Sequence, residues 1–211
     1  EEKPNSQLEL SGGWGGNTFV GTVGISFNNF SINRIFEKHA WRPVPLGDGQ
    51  QLAIRFQTNG SYYTALSASF VEPWLFGKKP TSLSLSLYFT RQTNGTYYGN
   101  YYYGNADQFM KVVGFAAGIG TRLKWPVNYF VLYNEVSWQT YILQDWNYNF
   151  LFSNGTSHNF SYKIALSRNS TDQPIYPRAG SEFSLSLQLT PPYSLFRSKN
   201  TDYKNMPDNE K

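Results

Sequence analysis

The 211-residue chain has no cysteine, only two methionines and two histidines, and 15% charged residues. Without cysteine there is neither a disulfide framework nor a thiolate metal site. His39 and His158 each lie in or beside a turn, with no acidic cluster at ligand spacing, so no metal is expected. The chain also lacks any apolar run near the ~18 residues that a membrane-crossing helix requires, and its mean hydropathy is negative. A helical membrane protein is thereby excluded. A membrane barrel is not, because alternation hides its hydrophobicity from a window average. No secretory apolar segment opens the sequence, so the chain is expected to be mature or an excised piece. The net charge of +4 is scattered, without the basic stripe that a phosphate backbone selects. No nucleic-acid partner is expected.

What the chain does have is a period-two alternation of apolar with small or polar residues. Leu83, Leu85, Leu87 and Phe89 alternate with Ser84, Ser86 and Tyr88. Phe160, Tyr162, Ile164 and Leu166 alternate with Ser161, Lys163, Ala165 and Ser167, and Phe183, Leu185, Leu187 and Leu189 with Ser184, Ser186 and Gln188. Successive strand side chains point to opposite faces, so each segment has one apolar and one wet face. Aromatics reach 18%, with 16 tyrosines and 16 phenylalanines, and Tyr and Trp suit a membrane–water boundary. Six Asn-x-Ser/Thr sequons begin at Asn29, Asn59, Asn94, Asn154, Asn159 and Asn169. A glycoprotein is one reading of them. The preferred one is hairpin chemistry at Asn59-Gly60, Asn94-Gly95 and Asn154-Gly155.

The alternation predicts nine strands, over residues 7–15, 19–32, 51–58, 62–72, 81–93, 109–122, 129–143, 158–168 and 181–190. Most reach about 10 residues, enough to cross a bilayer when tilted, whereas soluble strands more often stop at about 5–6. Paired as a meander, the connections fall at two ends. One end carries Tyr97, Tyr98 and Tyr101–Tyr103 among Gly and Asn, which reads as a surface loop. The other is rich in Pro, Trp and cations: Trp41-Arg42-Pro43, Pro73-Trp74, Lys78-Lys79-Pro80 and Trp125-Pro126. Proline stops strands, and Trp at that level suits an aromatic girdle. Nine is an odd number, and an open sheet in lipid would leave edges unpaired. The fold expected is therefore all-β, an antiparallel up-and-down transmembrane β-barrel, here about nine strands of a larger one.

Several segments resemble the barrel of the bacterial surface-antigen family of outer-membrane assembly factors, which has mitochondrial and chloroplast relatives. Glu2-Lys3-Pro4 followed by QLELSGGWGG resembles the passage from the last periplasmic POTRA domain into the first barrel strand. FVGTVGISFNNFSINRIF resembles the second strand and its turn, and FVEPWLFGKKP an aromatic and proline cluster at a strand end. SRNSTDQPIYPRAGSEFSLSL resembles the family's Asp-x-x-x-x-Pro-x-x-Gly turn, here Asp172, Pro177 and Gly180. The likeness runs over essentially the whole chain. It implies residues 1–6 as the end of a POTRA linker, 7–196 as the N-terminal part of a barrel of about sixteen strands, and 197–211 as a truncated polar extracellular loop. The family's Arg-Gly-Phe loop tip has no match here.

The resemblance also implies a function: insertion of other β-barrel proteins into the outer membrane of a Gram-negative bacterium. The chain would be the central barrel subunit of the barrel-assembly (BAM) complex. Its partners would be outer-membrane lipids, client outer-membrane proteins and the complex's accessory lipoproteins. It would use no cofactor and no nucleotide, and would not be an enzyme; no serine, base and orienting group suggest a triad. A lateral gate is implied at the first strand, over Leu8, Glu9, Leu10, Ser11, Gly12, Gly13 and Trp14. Glycine within a strand removes packing and raises the cost of ordering it, and a weakly held edge is where another strand adds. Gly15-Gly16-Asn17-Thr18 reads as a hairpin turn. At the other end Glu72, Pro73 and Trp74, with Asp172, Pro177 and Gly180, form turn motifs. A local salt bridge among Arg168, Asp172 and Arg178 is preferred there to a partner-docking role. Arg55, Arg91, Lys111, Glu135 and Lys163 lie within strands and are expected to face a watery lumen, or else the rim, since a midplane cation toward lipid costs ~2–4 kcal/mol. The alternatives are a passive channel or receptor barrel and a soluble adhesin-like sandwich.

Overall fold

A computed structural model describes residues 6–15, 18–41, 44–75, 77, 80–98, 101–146, 153–173 and 175–191. Of the linker expected at 1–6, residues 1–5 lie outside these residues, and Ser6 opens the first strand; residues 192–196 and the tail expected at 197–211 also lie outside. So do the expectations for Gly16-Asn17, Arg42-Pro43 and Lys78-Lys79. Nine antiparallel strands form one sheet in sequence order: β1 (Ser6–Gly15), β2 (Thr18–Phe30), β3 (Gln50–Asn59), β4 (Tyr63–Glu72), β5 (Thr81–Tyr98), β6 (Tyr101–Arg122), β7 (Phe130–Gln144), β8 (Gly155–Asn169) and β9 (Glu182–Leu189). The helical content of the described residues is one 3-10 turn, Lys38–Ala40, which holds His39. No second sheet covers the first among them, so a sandwich has no partner layer here.

Register fixes the faces. Leu87 lies opposite Ala68 on one side and Phe115 on the other, and Phe115 opposite Trp138, which faces Phe160. Directly opposed residues share a face, so one surface carries Leu8, Leu10, Val23, Ile25, Ile54, Phe56, Leu66, Leu87, Phe115, Trp138, Phe160, Leu185 and Leu187. All of these stay exposed, and no core of the protein's own takes them up. The opposite face is polar and crowded. A Cβ at Gly114 would meet the Tyr88 ring at 2.1 Å, and one at Gly118 the Tyr133 hydroxyl at 2.1 Å, so glycine there makes room for tyrosine. Tyr133 in turn reaches Ser84 at 2.9 Å and donates to Glu135 at 2.7 Å. Crowding on the polar face and exposure on the apolar one suit a sheet that curves around the polar side, as a barrel wall does.

Two expectations change. The Tyr-rich segment is not loop: β5 and β6 continue paired to Tyr98↔Tyr101, past a register shift where Thr93↔Phe109 gives way to Asn94↔Asn105. Asn94-Gly95 is accordingly strand rather than hairpin turn. Asn59-Gly60 does turn the chain, with Gly60 at φ +55°.

Candidate functional site

β1 pairs with β2 along its whole length, from Ser6↔Phe27 to Gly15↔Thr18, and among the described residues it is an edge of the sheet. Its alternation is incomplete. Leu8, Leu10 and Trp14 stand on the apolar face, Leu10 at 72% and Trp14 at 75% exposure, but Gly12 interrupts them. The reason is steric: the Phe19 ring lies over both Gly12 and its partner Gly21, 3.2 Å and 2.6 Å from where Cβ atoms would stand. Gly13, on the polar face, has nothing within 4 Å of a Cβ. Side chains thus hold β1 sparsely. One anchor is specific: Arg55 of β3 donates to Glu9 of β1, an ion pair between half-exposed groups. Glu9, Gly24 and Arg55 lie in one cross-strand row, and the missing side chain at Gly24 leaves the path clear for Arg55. An open depression of about 560 Å³ lies here, lined by Gln7, Glu9, Ser26, Arg55, Ser67 and Ser69 among others. Ser11 completes the polar row of β1. An unpaired strand edge is a row of backbone donors and acceptors, and what it can do chemically is accept another strand.

The opposite end is built for rigidity. Gln50, only 2% exposed, accepts from the amide of Ile32 at 2.7 Å and donates to Glu72 at 2.6 Å. Glu72 also accepts from the Trp74 amide at 3.0 Å, around the turn at Pro73. Ser31 donates to Asp48 at 2.6 Å, and Phe30 meets Phe70 edge-on at 6.4 Å. The β2–β3 connection is thereby tied to the β4–β5 turn. Glu72 was expected at a turn; Gln50, Ser31 and Asp48 were not singled out, because their partners lie 17 to 22 residues away and no local pattern marks them.

In the β8–β9 connection the predicted ion pair is replaced by a backbone clamp. Asp172 Oδ1 accepts from the amides of Arg178 at 3.0 Å and Ala179 at 3.2 Å. These bonds, that of Ala179 foremost, hold its carboxyl below the usual carboxylate range. Arg168 instead donates to Ser181 and covers the Phe130 ring at 5.8 Å. Gly180 has φ +99°, and a Cβ there would meet the Ser170 carbonyl oxygen at 2.1 Å. Pro177 is exposed, immediately before the two clamped amides.

Of the five strand charges, Arg55, Glu135 and Lys163 stand on the polar face as expected, Glu135 opposite Lys163. Arg91 and Lys111 do not. They oppose each other directly, in phase with Leu87 and Phe89 and with Val113 and Phe115, and so belong to the apolar face, at its margin. His158 is held at the start of β8 by Thr140 at 3.0 Å and by the Trp138 ring.

Residues 45–205 match the Omp85 superfamily domain. No curated protein matches the chain.

Proposed function

Because the chain belongs to the Omp85 superfamily, a family of outer-membrane protein insertion and transport, we propose that it inserts other β-barrel proteins into the outer membrane of a Gram-negative bacterium. In this reading it is the N-terminal part of the barrel of the BAM complex's central subunit. Its partners are client barrel proteins, accessory lipoproteins and the lipids of that membrane, and the work needs no catalytic side chain.

The observation that carries the reading is β1: a ten-residue strand at a sheet edge with glycines at two successive positions and few side-chain anchors. A client strand in extended conformation would add to that edge through main-chain hydrogen bonds, which impose no sequence on the client. The apolar rows of β1 and β2 are both broken, at Gly12 and Gly21 under the Phe19 ring, and offer lipid a weaker boundary than an unbroken row would. Thinning of the bilayer there lowers the cost of bringing a half-folded strand across. The firm network at Gln50 and Glu72 keeps the rest of the sheet in register while the edge exchanges partners.

Photocrosslinking from positions 8 to 14 of the full-length protein in cells tests this. Adducts to nascent outer-membrane proteins are expected from the backbone-exposed side of β1. Crosslinks confined to the protein's own barrel would overturn the gate at β1 and move a passive channel ahead.

A further inference from the structure

Arg91 and Lys111 stand directly opposite each other on neighbouring strands, on the face that carries the apolar residues. Like charges in that register repel, and the apolar face of a membrane barrel is a costly place for either. Both reach the Phe109 ring, the Lys111 ammonium 4.3 Å from its centroid and the Arg91 guanidinium carbon 5.6 Å. Thr64 of β4 lies opposite Arg91 and adds a hydroxyl.

Their height on the sheet is defined. Below Lys111 the same face runs through Val113, Phe115, Ala117 and Ile119 to Thr121, which pairs with Thr81. Ten residues at ~3.3 Å each, tilted by ~40°, span about 25 Å vertically, the height of a barrel's apolar band. The cation pair therefore sits at the upper margin of that band, level with headgroups, and long side chains there extend into the interface.

We propose that Arg91, Lys111 and Thr64 form a binding site for the phosphate of an anionic lipid in the leaflet at the β5–β6 hairpin end, with the lipid's chains along Leu66, Phe89 and Val113. A phosphate between the two cations turns their repulsion into two charge-assisted contacts, and a guanidinium fork matches its oxygens. Cations next to a membrane surface recognise anionic headgroups in this way. The site is separate from β1 and stands whether or not β1 is a gate.

The test uses the full-length protein in nanodiscs of phosphatidylcholine doped with phosphatidic acid, with lipid retained after extraction counted by native mass spectrometry. R91Q/K111Q is expected to retain about threefold less phosphatidic acid or lower still, with phosphatidylcholine unchanged. K163Q, which removes a cation from the polar face, is expected to match wild type. Equal retention in R91Q/K111Q, or an equal loss in K163Q, would overturn the site. If the double variant does not assemble, K111Q is read by the same criteria, with K111R expected to restore retention. Displacement of phosphatidic acid by excess inorganic phosphate would mean that free phosphate, not a lipid, is the ligand, and would overturn the proposal.

Discussion

At the scale of single residues, the glycines of this sheet do two different jobs. Gly118 has no room for a side chain: the Tyr133 hydroxyl and ring carbon, at 2.1 Å and 2.5 Å, and Ser84 Oγ at 2.8 Å occupy the space. Gly118→Ala must push the Tyr133 ring aside and break its bonds to Ser84 and Glu135. We expect a loss of about 1–3 kcal/mol, as for other overpacked sites, read from the urea midpoint of the refolded protein. Removing the ring with Tyr133→Thr should be costly alone but should make Gly118→Ala less costly, leaving only Ser84 Oγ to turn away, a coupling that a double-mutant cycle isolates. Gly13→Ala meets nothing within 4 Å and should change stability by no more than about 0.5 kcal/mol. If both alanines cost the same, the fit of tyrosine over glycine is not what stabilises the polar face.

At the scale of elements, β1 is held by its ladder to β2 and by the Glu9–Arg55 pair that spans β2. Both groups are about half exposed, so the pair is worth less than about 1 kcal/mol and is weakened by salt. That is a small hold, of the size the proposed gate at β1 requires. Glu9→Gln is expected to speed amide exchange in β1 several-fold, while β3 and β4 keep their protection. High salt should produce the same change in the wild-type protein and none in the variant. Unchanged exchange in Glu9→Gln would remove the pair from any account of the edge. The elements themselves were largely legible from alternation, since period two is dictated by the backbone and survives without knowledge of partners. Two things were not. The tyrosines at 97, 98 and 101–103 read as loop because Gly and Asn interrupt them, yet tyrosine favours strands and the β5–β6 pairing runs on to Tyr98↔Tyr101. The Gln50–Glu72 contact joins the start of β3 to the end of β4, and Ser31–Asp48 joins the two ends of the β2–β3 connection; no local pattern in either segment names its partner. The phase of Arg91 was available, since it follows Leu83, Leu85, Leu87 and Phe89 at even steps. The lumen expectation follows from the cost of a charge near the midplane, and a place at the margin of the apolar band is the rim, the other position expected for these charges.

At the scale of the molecule, the decisive property is that, among the described residues, one face of the sheet carries a broad band of exposed apolar side chains. Leu87 lies mid-strand on that face with 57% of its surface exposed, between Ala68 and Phe115. Ser69 and Ser86 pair one step away on the other face, and Ser69 is likewise exposed. Position 87 and position 69 are therefore close along the sheet and differ mainly in which side they meet. In lipid, Leu87→Lys should cost ~2–4 kcal/mol, because an ammonium at mid-depth loses its hydration. Ser69→Lys, toward water on the polar side, should cost little. The difference should appear as a lower yield of heat-resistant, membrane-assembled protein for Leu87→Lys alone, measured on the full-length protein refolded into vesicles. If the wild-type chain were instead a water-borne sheet, a lysine on the exposed apolar face would improve its solubility. The sign of the Leu87→Lys effect therefore separates a membrane wall from a soluble one. A penalty at position 69 instead of 87 would show that the faces are inverted, with the polar rows of serine, glycine and tyrosine packed dry.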